Sequence, residues 1–154
     1  MKMTPLCRRC RYSPTMYGFV EMRQASIFLV EDEALIRMML AEMVEELGHR
    51  VVAEVGNIQD AQVLAETAFF DLAILDINIA GSSIVPVAEI IDRRGLPFLF
   101  ISGYGSAGRP EAFIERPALQ KPLMLSKLGE AINAILGTAG EASSAVDDSS
   151  PKIQ

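Results

Sequence analysis

Five short apolar runs alternate with segments of helical periodicity between residues 25 and 137, and this alternation limits the possible folds more than any other feature of the sequence. The clearest runs, at 26–30, 72–75 and 98–101, are apolar at nearly every position. Continuous apolar runs of this length are typical of strands that are buried on both faces of a sheet. Such strands joined by helices predict a parallel sheet, because right-handed crossovers place helices on both of its faces.

The remaining elements extend the same pattern. Further strands are predicted at 50–55 and 118–120, and helices at 34–47, 58–68, 84–93 and 123–136. Gly48 and Gly95 stand where glycine commonly ends a helix, and Asn57 can cap the start of another. A weaker helix is expected around Glu111. The sequence therefore predicts an α/β fold with a doubly wound, five-stranded parallel sheet.

The length of 154 residues fits one domain, since domains commonly contain about 100 to 200 residues. Residues 1–24 show no sustained helical or strand period and are predicted to be a flexible N-terminal extension. Residues 138–154 are rich in Ser, Ala, Gly and Asp without an apolar face, and are predicted to be a disordered tail. The folded domain is therefore expected at 25–137.

Charge is distributed unevenly along the chain. Residues 25–154 carry nine basic and nineteen acidic side chains, a formal charge of −10. An acidic domain repels phosphate backbones and lacks the basic surface that nucleic acids need, so no nucleic acid binding is expected. No apolar run reaches the ~18 residues that cross a bilayer, and no signal-peptide pattern is present, so a cytoplasmic protein without membrane attachment is predicted.

Cys7 and Cys10 form a C-x-x-C pattern, which in other proteins can be half of a zinc site or a redox pair. A second pair of ligands is missing, and the single histidine, His49, follows a glycine at a predicted helix end. We therefore interpret the two cysteines as incidental thiols and assign neither of them to a site.

Polar side chains follow four of the five predicted strands. Glu31 and Asp32 follow the first strand, Asp76 the third, Ser102 the fourth and Lys121 the fifth. The carboxyl ends of parallel strands lie at one edge of the sheet, where ligands bind near the point at which strand order reverses. Each residue alone has an ordinary explanation as a cap, a turn residue or a surface charge. Their joint occurrence at these ends predicts a site.

Three carboxylates in one crevice repel one another strongly unless a cation is present. Mg²⁺ prefers oxygen ligands and accepts one or two carboxylates together with phosphate oxygens, so Asp32 and Asp76 are predicted ligands. Glu31 is expected to bind directly or through a water, and the backbone carbonyl of Asn78 to supply a further oxygen. Asp76 is then the predicted nucleophile toward phosphorus, with the lysine ammonium and the serine hydroxyl each holding a phosphoryl oxygen.

Over residues 25–137 the chain resembles the receiver domains of two-component response regulators. The acidic pair lies in VEDE, the acceptor aspartate in LAILDIN, the hydroxyl in FISGYG and the lysine in QKPL. This resemblance implies a flavodoxin-like fold. It also implies Mg²⁺-dependent uptake of a phosphoryl group on Asp76 from a histidine kinase or phosphotransfer protein, with Ser102 and Lys121 completing the catalytic set.

The FISGYG segment further resembles the FATGUY subgroup of single-domain receivers, with Ile101 and Ser102 where that motif has Ala and Thr. Pro86 suits this subgroup, although the GSSIVP sequence before the third helix departs from the broad family. Partner choice is not indicated by this loop.

A second departure concerns the switch residue of the family. Ala118 stands three positions before the lysine, where most receivers have an aromatic side chain that moves with phosphorylation. Tyr104, between Gly103 and Gly105, is the candidate to replace it, because the flanking glycines give the backbone freedom. The alternative is that its ring packs against the helix that follows.

The predicted function is that of a single-domain response regulator in a phosphorelay, which acts through protein–protein interaction and is not an enzyme. The alternative is a degenerate receiver that works as a phosphorylation-independent interaction module, and the complete set of site residues argues against it. A haloacid-dehalogenase-type enzyme also forms an aspartyl phosphate. That class needs a second aspartate two residues after the first, where this chain has Asn78.

Overall fold

The computed structural model describes residues 23–139. Cys7, Cys10, residues 1–22 of the predicted N-terminal extension and residues 140–154 of the predicted tail lie outside this range. In the part of the chain that is described, no helix is both long enough and apolar enough to span a membrane.

Within residues 23–139, seven strands and four α-helices follow one another. The strands are β1 (Ser26–Val30), β2 (Arg50–Val55), β3 (Leu72–Asp76), β4 (Asn78–Ile79), β5 (Ser82–Ser83), β6 (Phe98–Ser102) and β7 (Ala118–Gln120). The helices are α1 (Ala34–Glu46), α2 (Ile58–Thr67), α3 (Val85–Arg93) and α4 (Leu125–Ala139). Each predicted strand and each of the four main predicted helices is present, and α4 continues through the first two residues of the predicted tail.

The weaker helix expected around Glu111 is not an α-helix. Two 3-10 turns, Gly105–Gly108 and Glu111–Phe113, connect β6 to β7 instead. Phe113 is the buried residue of the second turn, and its ring packs edge-on to Phe98 at 5.4 Å. Phe113 therefore packs on the sheet between β6 and β7, where a helix was expected.

The main sheet is parallel and has the order β2-β1-β3-β6-β7. The chain adds β2 on one side of β1 and every later strand of this sheet on the other, so the order reverses between β1 and β3. This arrangement confirms the predicted doubly wound, flavodoxin-like α/β fold. Ligand sites in such sheets lie at the carboxyl edge, beside this reversal.

The core consists of two layers, one on each face of the sheet. Phe28 and Val30 of β1 belong to the layer under α2 and α3, whereas Ile27 and Leu29 belong to the layer under α1 and α4. Successive side chains of a strand point to opposite faces, so a strand between two helical layers must be apolar at every position. This requirement explains the continuous apolar runs of the sequence.

A small antiparallel hairpin follows the central strand β3. Its two-residue strands β4 and β5 are joined through Ala80, with a φ of 50°, and Gly81, with a φ of 83°. Positive φ at both central residues is the geometry of the type I′ turn that closes tight hairpins. The sequence did not predict this hairpin, which stands over the carboxyl edge of the sheet.

Candidate functional site

The residues predicted from the strand ends meet at the carboxyl edge of the sheet. Asp76 and Ser102 are the last residues of β3 and β6, and Lys121 follows β7 directly. A cleft of about 480 Å³ opens there. Its lining includes Asp32, Asp76, Asn78, Ser102, Tyr104, Gly108 and Lys121. Glu31 does not line the cleft, because its side chain is fully buried beneath it.

Lys121 connects the two buried carboxylates of the site. Its Nζ donates a hydrogen bond to Asp76 Oδ2 at 2.8 Å and lies 3.0 Å from Glu31 Oε2. Partial burial lowers the pKa of Lys121, but the hydrogen bond to Asp76 and the charges of both carboxylates outweigh burial and raise the pKa above its ordinary value. The ammonium is therefore fully charged at neutral pH.

Glu31 is the most deeply buried charge of the site. Its Oε1 accepts the backbone N–H of Glu33 at 3.1 Å, whereas its Oε2 forms an ion pair with the lysine but no well-aligned hydrogen bond. Burial raises the pKa of Glu31 to about 7; the lysine and the Glu33 amide oppose this shift, and the charge of Asp76 adds to it. One buried carboxylate oxygen thus has spare capacity for a ligand.

The hairpin holds the remaining acidic residue in place. Ala80 donates its backbone N–H to Asp32 Oδ2 at 3.0 Å, and Gly81 donates to Asn78 Oδ1 at 2.9 Å. The backbone N–H of Asn78 in turn reaches Asp76 Oδ1 at 3.3 Å. The hairpin is therefore tied to two of the carboxylates that line the cleft.

Ser102 lies on the other side of the cleft and is 3% exposed. Its Oγ accepts the backbone N–H of Tyr104 at 3.0 Å, which leaves the hydroxyl hydrogen available for donation. The ring of Tyr104 is 84% exposed, so the alternative expectation that it packs against a following helix is wrong. Its role as a switch stays a prediction.

The acidic residues fit a divalent cation. Glu31, Asp32 and Asp76 each offer a carboxylate oxygen, and these oxygens lie within 4.8 Å of one another. Three carboxylates face a single ammonium here, and Glu31 Oε2 lacks a hydrogen bond. An oxygen-rich, negatively charged set of this kind suits Mg²⁺. The backbone carbonyl of Asn78 as a further ligand stays a prediction.

Two residues that the sequence did not single out support the acidic pair from behind. Nη1 of Arg37 donates to the backbone carbonyl of Glu31 at 2.6 Å. Gly56 leaves room for this guanidinium, since a Cβ at that position would lie 2.7 Å from Nη1. An arginine in the first turns of a helix and a glycine after a strand are too common to be recognised from sequence alone.

His49 lies at the opposite edge of the sheet and is not near the cleft residues. Its Nδ1 accepts the backbone N–H of Ala25 at 3.2 Å, and the ring is 5% exposed. Burial lowers its pKa below the ordinary value. The neutral ring therefore binds the backbone just before the start of β1.

Comparisons with known proteins agree with this geometry. The family described as the response regulator receiver domain matches residues 27–133. The transcriptional regulatory protein PdtaR of Mycobacterium tuberculosis is 36% identical over 110 residues, which cover 69% of this chain and 54% of PdtaR. The solution structure of SdrG from Sphingomonas melonis is 37% identical with a TM-score of 0.66, covering 73% of this chain and 97% of SdrG.

A crystal structure of the anti-anti-sigma factor PhyR from Bartonella quintana is 28% identical with a TM-score of 0.69, covering 80% of this chain and 51% of PhyR. This chain spans about half the length of the curated relatives that it matches. These relatives are named as regulators, and receiver domains of this kind are regulatory interaction modules and not enzymes. The chain belongs to the receiver-domain family of two-component response regulators.

Proposed function

We propose that this receiver domain accepts a phosphoryl group on Asp76 from a histidine kinase or phosphotransfer protein and acts in a phosphorelay through protein–protein contacts. The observation that carries the proposal is the position of Lys121, whose ammonium lies 2.8 Å from Asp76 Oδ2 at the mouth of an acidic cleft. A cytoplasmic location is part of this proposal, since phosphorelay proteins meet their donors there.

The carboxylate of Asp76 is the nucleophile of the proposed reaction. As its oxygen–phosphorus bond forms, the bond from phosphorus to the donor nitrogen breaks, and the donor keeps that electron pair. The negative charge of the transferring group spreads over three equatorial oxygens. In this proposal the Lys121 ammonium and the Ser102 hydroxyl would hold one oxygen each.

Glu31, Asp32 and Asp76 would hold Mg²⁺ in this proposal. When bound, Mg²⁺ supplies positive charge that offsets the repulsion between the carboxylates and the incoming phosphoryl group. Glu31 supports the site from below, because its buried charge keeps the lysine directed toward the cleft. Asp32 is half-buried in the lining of the cleft, where the Ala80 amide binds one of its oxygens.

Incubation with acetyl phosphate and Mg²⁺, followed by intact mass spectrometry, tests the proposal. The wild type is expected to gain the mass of one phosphoryl group, and Asp76→Ala to gain none. Asp92→Ala is a matched control, because that aspartate pairs with Arg116 on the surface and should leave labelling unchanged. An unlabelled wild type would instead favour the phosphorylation-independent interaction module.

Mg²⁺ binding is tested separately by titration of the unphosphorylated protein. We expect weak binding by the wild type and a loss of most of it in Asp32→Ala. Asp71→Ala serves as the control, because that carboxylate accepts the Ser26 amide near the start of β1. Equal affinities of the wild type and Asp32→Ala would place the cation elsewhere.

Tyr104 is proposed as the residue through which phosphorylation is read by a partner. Its exposed ring is linked to the site by its own backbone N–H, which binds Ser102 Oγ. Tyr104→Ala should leave phosphoryl uptake near normal and change the ratio of partner affinities between the phosphorylated and unphosphorylated forms. An unchanged ratio, measured with a cognate kinase, would assign the signal to the backbone that follows Ser102.

A further inference from the structure

We propose that Gly108 is a positioning residue for phosphoryl transfer, because its missing side chain leaves the space in which the hydroxyl of Ser102 sits. The proposal rests on the proposed phosphoryl uptake and adds a residue to it. Gly108 ends the first 3-10 turn after β6 and lines the cleft together with Asp76 and Lys121.

Gly108 and the side chain of Ser102 lie very close together. A Cβ built on Gly108 would overlap Ser102 Oγ, far inside van der Waals distance, and would lie 3.4 Å from the Cβ atoms of both Ser102 and Tyr104. Only the hydroxyl oxygen is in severe conflict. A side chain at this position would therefore drive the hydroxyl from its place while leaving the rest of the loop in ordinary, if close, contact.

Backbone conformation does not explain this glycine. The φ angle of Gly108 lies outside the left-handed region that Gly48, Gly81 and Gly95 occupy. Gly103, at the start of the same loop, has open space where its Cβ would be. Gly108 is thus distinguished by the space that it leaves and not by the conformation that it permits.

The position of the hydroxyl is defined from two directions. The Tyr104 N–H binds Ser102 Oγ at 3.0 Å, and the oxygen occupies space that a Cβ on residue 108 would overlap. A serine has three staggered rotamers, so an oxygen driven from this one must move to a different direction. A hydroxyl that has turned away no longer donates to a phosphoryl oxygen on Asp76.

A double-mutant cycle separates this role from a general effect on the loop. Gly108→Ala and Ser102→Ala should each lower the initial rate of uptake from acetyl phosphate by about 10- to 100-fold, as expected for loss of one donor to a charged oxygen. In the Ser102→Ala background, Gly108→Ala should cause no further loss, because the overlapping oxygen is gone. Ala107→Ser, an exposed change one residue away, should stay within about twofold of wild type.

A wild-type rate in Gly108→Ala, or an equal loss when Gly108→Ala is added to Ser102→Ala, would overturn the proposal. The backbone amide of Tyr104 gives a second readout without phosphate, by NMR. In both single variants its proton should shift upfield and exchange faster, since it loses its acceptor. If the wild type takes up no phosphoryl group, the proposed function fails and this role fails with it, whereas labelled wild type with an unaffected Gly108→Ala rejects only the role of Gly108.

Discussion

Each edge of the sheet buries a titratable side chain whose pKa is shifted, and the surroundings of these two groups differ. At the carboxyl edge, burial raises the pKa of Glu31 to about 7. At the amino edge, burial lowers the pKa of His49. In both cases burial favours the neutral form, as expected when a charge leaves water. The difference lies in the neighbours of each group.

At the amino edge, polar side chains accept hydrogen bonds from the backbone. His49 accepts the N–H of Ala25, and Asp71 accepts the N–H of Ser26 at 2.8 Å. At the carboxyl edge Glu31 keeps an oxygen without a hydrogen bond, next to a second carboxylate and a lysine. Buried polar side chains with hydrogen-bond partners stabilise a fold. Buried carboxylates that lie close together and lack partners are more typical of a site that binds a ligand. The polar side chains of the amino edge therefore stabilise the fold, whereas those of the carboxyl edge form the candidate site.

The largest effect should come from removing the cation of the carboxyl edge. Lys121→Met leaves Glu31 buried without its counter-charge, and we expect the free energy of unfolding to fall by about 3–5 kcal/mol at pH 8 in metal-free buffer. Adding Glu31→Gln should recover most of this loss, since the uncompensated charge is removed. Urea denaturation measures both changes.

The matched control is Lys127→Met, because Lys127 pairs with Glu130 on the surface, where both side chains are more than half exposed. That variant should stay within about 0.5 kcal/mol of wild type. A similar loss in both lysine variants would mean that the buried pair is no different from a surface pair.

The pH dependence of stability should have opposite signs at the two edges. Glu31 holds its proton more tightly in the folded state, so its contribution is full below pH 4.5 and is lost as pH rises toward about 7. His49 holds its proton less tightly when folded, so its contribution is present above pH 6.5 and is lost as pH falls below that value. The rise in the pKa of Glu31 from 4.5 to about 7 corresponds to a change on the order of 3 kcal/mol.

Two variants isolate these contributions in metal-free buffer. Relative to wild type, Glu31→Gln should gain stability as pH rises from 5 to 7, because the group that loses stability over this range is gone. His49→Asn keeps an acceptor for the Ala25 N–H but does not titrate, so relative to wild type it should gain stability as pH falls from 7 to 5. If stability changed with pH in the same way in the wild type and both variants, neither Glu31 nor His49 would contribute as proposed.

The smallest effect concerns the support of the acidic pair. Gly56→Ala should displace the Arg37 guanidinium from the Glu31 carbonyl and lower stability by about 1 kcal/mol, the contribution of one charge-assisted hydrogen bond. The change should have little effect in an Arg37→Ala background. Gly137→Ala adds a methyl group in α4 that meets nothing within 4 Å, and it should raise stability instead, because alanine favours the helix.

The fold could be predicted from the sequence because β1 and β3 lie between two helical layers, so their positions 27–30 and 72–75 are all apolar. The convergence of the site residues followed from the same topology. The sequence could not predict that Glu31 is more buried than Asp32. The two carboxylates are adjacent, and which of them is buried depends on the direction of the chain after β1. Ala80 gave no signal for a left-handed turn residue, since asparagine and glycine are the usual residues there.

Because β1 belongs to both core layers, we expect the two layers to unfold together. Phe28 and Ile27 are neighbours in sequence but anchor opposite layers, so neither layer can melt without exposing the other. Unfolding should therefore be a single cooperative transition, with the same midpoint for probes placed on α2 and on α4. In such a domain we expect functional motions to occur in the loops at the carboxyl edge, because moving β1 would disturb both core layers.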